Sequence, residues 1–149
     1  MKLKNEIQTV LTAAMKAKDE DTKRTLRLLM SAIKLSEVEE RGELDTSRIL
    51  SILQKEVKTR EDSILEAKQA RREDLIKAAE KEIKILNQFL PKQMEESELK
   101  TLAKQVIEET GATSMRDMGA VMKNLMPMLE GRASGQHASK IVRELIQNA

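Results

Sequence analysis

Apolar residues recur along this chain at intervals of three and four, the period of one face of an α-helix. Ile7, Val10, Leu11, Ala14 and Met15 form the first such stripe, fading near Lys18. Asp19-Glu20-Asp21-Thr22 then supplies capping side chains for a second helix, predicted to run to about Arg41 with Leu26, Leu29, Met30 and Ile33 inward. Gly42 is its expected stop. Asp45 or Thr46 caps a third helix striped by Ile49, Ile52, Leu53, Val57 and Ile64. The pattern lapses around Ala70-Arg71-Arg72-Glu73-Asp74 and resumes with Leu75, Ala79, Ile83 and Leu86, so a turn is placed near 70–73.

Phe89-Leu90-Pro91 is the sharpest break. Proline lacks an amide donor and drives the residue before it out of helical geometry, so a helix ends there. Beyond it three shorter stripes follow. Leu99, Leu102, Ala103 and Val106 lead to a stop at Gly111. Ser114 and Asp117 make a pair resembling a capping box ahead of Met118, Val121, Met122, Leu125, Met126 and Leu129. Gly131 and Gly135 bracket a tight connection to Ala138, Ile141, Val142, Leu145 and Ile146. The predicted fold class is all-α. An N-terminal domain of about four helices spans residues 1–92, and a C-terminal three-helix bundle spans 93–149.

Composition strengthens the helical reading. Of 149 residues, 35% are charged and 1% aromatic, with five glycines and two prolines, too few of the residues that strands and hairpins use. An apolar share of 40% separates the chain from disordered polyelectrolytes. The N-terminal Met1-Lys2-Leu3-Lys4-Asn5-Glu6 is charged, without the apolar run of a signal peptide, and no stretch nears the ~18 apolar residues of a membrane span. A cytoplasmic location without membrane contact is the expectation.

Candidate chemistry is sparse. With no cysteine and one histidine, His137, neither a thiolate nor a His-rich metal cluster can form. His137 sits at a predicted helix start with no nucleophile-elbow pattern, which suits a surface residue better than a triad member. Gly131-Arg132-Ala133-Ser134-Gly135 lacks the Gly-Lys-Ser/Thr ending and preceding strand of a phosphate loop. The carboxylates sit on polar helix faces, many four residues from a cation (Glu20/Arg24, Glu37/Arg41, Glu80/Lys84), and read as solvated pairs. No catalytic residue, metal site or cofactor is expected.

Charge offers two groupings. Residues 1–93 carry 20 basic and 17 acidic groups, and residues 94–149 carry 7 and 8, so neither part is a bulk polycation. Arg27, Lys34 and Arg41 recur every seven residues on one helix face, which a solubilising role explains. The stretch 131–143 holds Arg132, His137, Lys140 and Arg143 and no acid, with Arg132 just ahead of a helix start whose free amides favour phosphate. The methionines Met115, Met118, Met122 and Met126, with Met128 nearby, fit core filling, or else a plastic partner groove.

Gly111-Ala112-Thr113-Ser114-Met115-Arg116-Asp117-Met118-Gly119, then Val121-Met122, Pro127 and Gly131-Arg132-Ala133, resemble the signature of the YqeY-like proteins. Upstream, Arg24-Thr25-Leu26-Arg27-Leu28-Leu29, the block Lys55 to Ile64, and Glu82-Ile83 through Phe89-Leu90-Pro91 sit where that family's N-terminal blocks fall. Two places depart from its pattern. Glu95 stands where the family has a serine, which leaves Ser97 as the alternative cap, and Ser134 stands where an acid is usual. The family's tail is similar to the tail domain of GatB, the B subunit of the glutamine-dependent Asp-tRNA/Glu-tRNA amidotransferase.

That resemblance implies an association with tRNA-dependent amidation, a carbon–nitrogen ligase reaction with glutamine as donor. It places the chemistry outside this chain, which is similar to the tRNA-gripping tail alone. The expected function is an accessory module binding tRNA through Arg132, Lys140, Arg143, Lys123 and His137. With no aromatic residue there to stack on bases, such binding reads shape. The competing expectation is an adaptor that docks an aminoacylation or amidation enzyme without touching RNA.

Overall fold

Local side-chain bonds start three of the seven α-helices described. Asp19 Oδ1 accepts the Thr22 amide at 3.2 Å, Asp45 Oδ1 the Arg48 amide at 2.9 Å, and Ser134 Oγ the His137 amide at 3.1 Å. The computed structural model describes residues 2–148. Its helices are α1 (Leu3–Lys16), α2 (Glu20–Glu40), α3 (Thr46–Gln69), α4 (Glu73–Asn87), α5 (Glu96–Thr110), α6 (Met118–Leu129) and α7 (Gly135–Gln147). A single 3₁₀ turn, Met115–Asp117, leads into α6, and no strand occurs among the described residues.

The helix ends depart from the sequence reading in an instructive way. Gly42 is not the residue that turns α2; Arg41 takes the left-handed conformation at φ 56°, and the Gly42 amide closes back on the Glu37 carbonyl. Lys18 and Arg71 do the same at φ 57° and 55°, followed by bonds from Asp19 to Ala14 and from Arg72 to Ala67. These are Schellman-type closures built on side chains that carry a Cβ penalty. At α5, Gly111 takes the left-handed position as expected, at φ 70°. Its start differs: Glu95 is the N-cap without a side-chain bond, and Ser97 lies inside the helix.

The chain divides into two compact units, Met1–Pro91 and Lys92–Ala149. In the first, Ile7 and Leu11 from α1, Leu26, Leu29 and Ile33 from α2, Leu53 from α3 and Leu86 from α4 share one core. In the second, Leu99, Ala103 and Val106 of α5 meet Val121, Leu125 and Leu129 of α6 and Ala138, Ile141 and Val142 of α7. The methionine stripe splits between interior and surface. Met118 and Met122 pack against that core, whereas Met115, Met126 and Met128 are exposed. The centre of α6's inward face is aliphatic instead.

Candidate nucleic-acid interface

Helix α7 owes its orientation to four inward residues, Ala138, Ile141, Val142 and Ile146. With 3.6 residues per turn, burying those puts Gln136, Lys140, Arg143 and Gln147 on the opposite side, and all four are exposed. His137 is exposed on the flank of that face, one turn before Lys140. Its amide, not its ring, is tied down, by Ser134. Lys123 is exposed on α6. One turn further along α6, Met126 lies against the first residue of α7: a Cβ on Gly135 would come 3.0 Å from the Met126 methyl. Lys123 therefore sits on the side of α6 that leads to the start of α7.

Among the described residues, no carboxylate forms an ion pair with Lys123, Lys140 or Arg143. Glu144 is the nearest acid in sequence, exposed beside Arg143 and one turn from Lys140.

Arg132 is placed differently from the other four. Its Nε donates to the Lys92 carbonyl at 2.9 Å, and its two terminal nitrogens reach both oxygens of Glu98, at 2.9 and 3.3 Å. This is a bidentate charge-assisted pair, the strongest form such a contact takes. Around it the Met94 amide donates to the Arg132 carbonyl at 2.7 Å, and Gln93 Nε2 donates to the Gly131 carbonyl at 3.1 Å. Arg132 thus fastens the α6–α7 connection to the segment entering α5, with each of its three nitrogens engaged. Of the five cations named from sequence, Lys123 on α6 and His137, Lys140 and Arg143 on α7 are exposed, and Arg132 is held within the scaffold.

Two of the three i,i+4 pairs named from sequence, Glu20/Arg24 and Glu37/Arg41, are replaced by other pairings. Glu37 pairs with Lys4 at 2.8 Å rather than with Arg41, which lowers its carboxyl below the usual range, with the Leu44 amide helping. Arg24 pairs with Asp21, and Glu20 with Lys23.

The sequence reading missed the most buried ion, Arg60, which is 9% exposed. Its Nε meets Glu82 on α4 at 2.9 Å, and its Nη1 meets Glu56 at 2.8 Å and that residue's carbonyl at 3.0 Å. Glu82 also lies 3.8 Å from Arg24, whose partner Asp21 takes Lys81 at 2.6 Å. A chain of alternating charges so links α2, α3 and α4. A signal existed: position 60 falls on the same inward stripe as Leu53, Val57, Ile64 and Ala67.

No group of three His, Asp or Glu able to hold a metal occurs among the described residues, and no described helix is long and apolar enough to cross a membrane.

Comparison with known proteins extends across both units. The family model described as Yqey-like protein matches residues 4–146. A protein named "Altered inheritance of mitochondria protein 41, mitochondrial" from Pyrenophora tritici-repentis is 29% identical over 146 residues, 94% of this chain and 78% of that protein. Proteins of the same name from Lachancea thermotolerans and Kluyveromyces lactis are each 38% identical, over 81 and 80 residues. These stretches are 54% and 53% of this chain and 43% of each yeast protein, so the chain matches less than half the length of those two relatives. Their names place all three in mitochondria, which overturns the cytoplasmic location expected from the charged N-terminus and the missing span. With a family match that runs from the first turns of α1 to the end of α7, the chain belongs to the YqeY-like family.

Proposed function

We propose that residues 93–149 form a tRNA-binding tail, accessory to tRNA-dependent amidation, that grips the phosphate backbone through Lys140, Arg143 and Lys123, with His137 at the edge. The observation that carries this reading is that these three cations are exposed and free of carboxylates, although acids equal or exceed bases in this part of the chain. Unpaired cations on the outward face of α7, with Lys123 exposed on α6, suit a polyanion. The absence of aromatic residues from this unit suits recognition of shape rather than of bases. Arg132 contributes by holding the α6–α7 connection, not by touching RNA. The carbon–nitrogen ligase chemistry, with glutamine as amido donor, belongs to a partner enzyme, and this chain supplies grip alone.

Three phosphate contacts give weak binding whose logarithm falls with log salt at a slope of about −2 to −3. Titrating bulk tRNA at several salt concentrations tests this, with Lys123→Ala/Lys140→Ala/Arg143→Ala as the comparison. A flat salt response, or no difference between the two proteins, rules the reading out.

The exposed Met115, Met126 and Met128 favour a second reading, in which the tail docks an aminoacylation or amidation enzyme. Recovery of such an enzyme without RNA, after nuclease treatment, would select it.

A further inference from the structure

The outward face of α2 is built unlike any other helix surface in the first unit. Its inward face buries Thr25, Leu26, Leu29, Met30 and Ile33. On the other side Leu28, Leu35 and Val38 are 54%, 61% and 75% exposed, and Val38 is the most exposed large apolar residue described in the chain. Leu28 and Leu35 are seven residues apart and Val38 three further on, so the three form one stripe along the helix, with small Ser31 between them. Leu28 and Ser31 also line an open groove of about 350 Å³ with Glu20, Lys23, Arg24 and Arg27.

One flank of this stripe is a row of cations. Arg27 and Lys34 lie seven residues, about 10 Å, apart along the helix, and Arg41 follows seven residues on at its left-handed cap. None of the three forms an ion pair among the described residues; Arg27 has only the thioether of Met15, at 3.5 Å. Five cations whose side chains reach another element or a neighbouring turn, Lys4, Arg24, Arg48, Arg60 and Lys81, do have carboxylate partners. An apolar seam with a charged flank at heptad spacing is the surface that one helix presents to another, and the flanking charges choose the partner.

We infer that the outward face of α2 docks an acidic amphipathic helix of a partner protein, whose apolar seam covers Leu28, Leu35 and Val38 and whose carboxylates pair with Arg27 and Lys34. The spacing argues against nucleic acid here, because a phosphate backbone leaves three branched aliphatic side chains uncovered. A second copy of the same face fits poorly. Laid antiparallel about a twofold axis, like flanks meet, so Arg27 and Lys34 would face their own counterparts; laid parallel, Lys34 would find Glu39 but Arg27 would face Ala32, which leaves one of the two cations unmatched. This surface lies on α2 and stands or falls apart from the tRNA reading of the tail.

The test uses the full chain and two synthetic helical peptides that share one leucine heptad seam, the first flanked by glutamates and the second by lysines. Amide shifts are followed by NMR, with sedimentation run alongside. The glutamate peptide is expected to shift amides centred on α2 and to bind on the order of tenfold more tightly than the lysine peptide. Arg27→Glu/Lys34→Glu reverses that preference, and Leu35→Lys abolishes binding of the glutamate peptide. Both variants change exposed positions, and an unaltered circular dichroism melt shows the fold intact. Equal affinity for the two peptides, shifts centred on another helix, or a dimer mass that Leu35→Lys removes would each overturn the inference.

Discussion

Thr25 lies fully buried on α2, and its hydroxyl makes no hydrogen bond. A buried hydroxyl without a partner forfeits its hydration for nothing, and valine has nearly the same shape. Thr25→Val is therefore expected to stabilise the protein by about 1 kcal/mol, read as a higher urea midpoint at unchanged slope; a lower midpoint would mean that the hydroxyl has a partner in solution. Arg60 is the opposite case, a charge whose partners come from two helices. Removing it strands Glu56 and leaves Glu82 only Arg24, at 3.8 Å, and the two side chains are only 26% and 22% exposed. Arg60→Leu is expected to cost about 2 to 4 kcal/mol, the lower part of the range for a broken buried pair because both acids still reach water. Changing Glu56 and Glu82 to leucine as well recovers most of that loss, and a triple variant as unstable as the single one would contradict the account. Arg60 escaped the sequence reading because charge argues for the surface, and its carboxylate on α4 lies 22 residues away. Arg132 escaped for the same reason, since Glu98 is 34 residues distant. A side chain's exposure can be guessed from helical period, but its partner across the fold cannot.

Helices were the legible elements, because amphipathic period alone places them. The lapse at 70–73 marks the turn between α3 and α4, and Ser114 with Asp117 forms the capping box at the 3₁₀ turn. The ends were read less well. Glycine is the usual sign of a left-handed stop, yet Lys18, Arg41 and Arg71 occupy three such positions, held there by the closing bonds of the residues after them. Such residues give up about 1 kcal/mol relative to glycine, so Lys18→Gly is expected to raise the unfolding midpoint by an amount of that order. A drop would show that the lysine side chain holds the turn.

Asp117 adds a pH dependence. The amides of Thr113 and then Ser114 donate to its carboxylate and hold it below the usual carboxylate range. Because the folded carboxyl titrates lower than the unfolded one, near 3.9, its contribution is complete above that pH and is lost as pH falls through the folded value. Asp117→Asn is expected to flatten this acid limb of the stability curve while leaving its shape above about pH 5 unchanged. A variant whose acid limb matches the parent's would remove Asp117 from the account.

At the scale of the whole molecule, the all-α class and the family were both readable. Residues that bear the resemblance are spread through both units, and the match covers 4–146. Location was not readable, since a charged N-terminus and a missing apolar span describe many compartments equally. The exposed cations of the tail were half readable: α7's period puts Lys140 and Arg143 outward, but only the fold separates them from Arg132, whose guanidinium is held by the Lys92 carbonyl and Glu98. That separation is the centre of the account, because bulk charge gives this unit no attraction for a polyanion.

The most direct measurement is the affinity of the full chain for bulk tRNA as a function of salt, compared among the parent, Lys123→Ala/Lys140→Ala/Arg143→Ala, and Arg132→Ala. The account predicts that the triple variant loses the salt slope of about −2 to −3 with its fold intact. It predicts that Arg132→Ala melts at lower temperature but, below that temperature, keeps the parent's slope. A triple variant that binds tRNA as the parent does would contradict it.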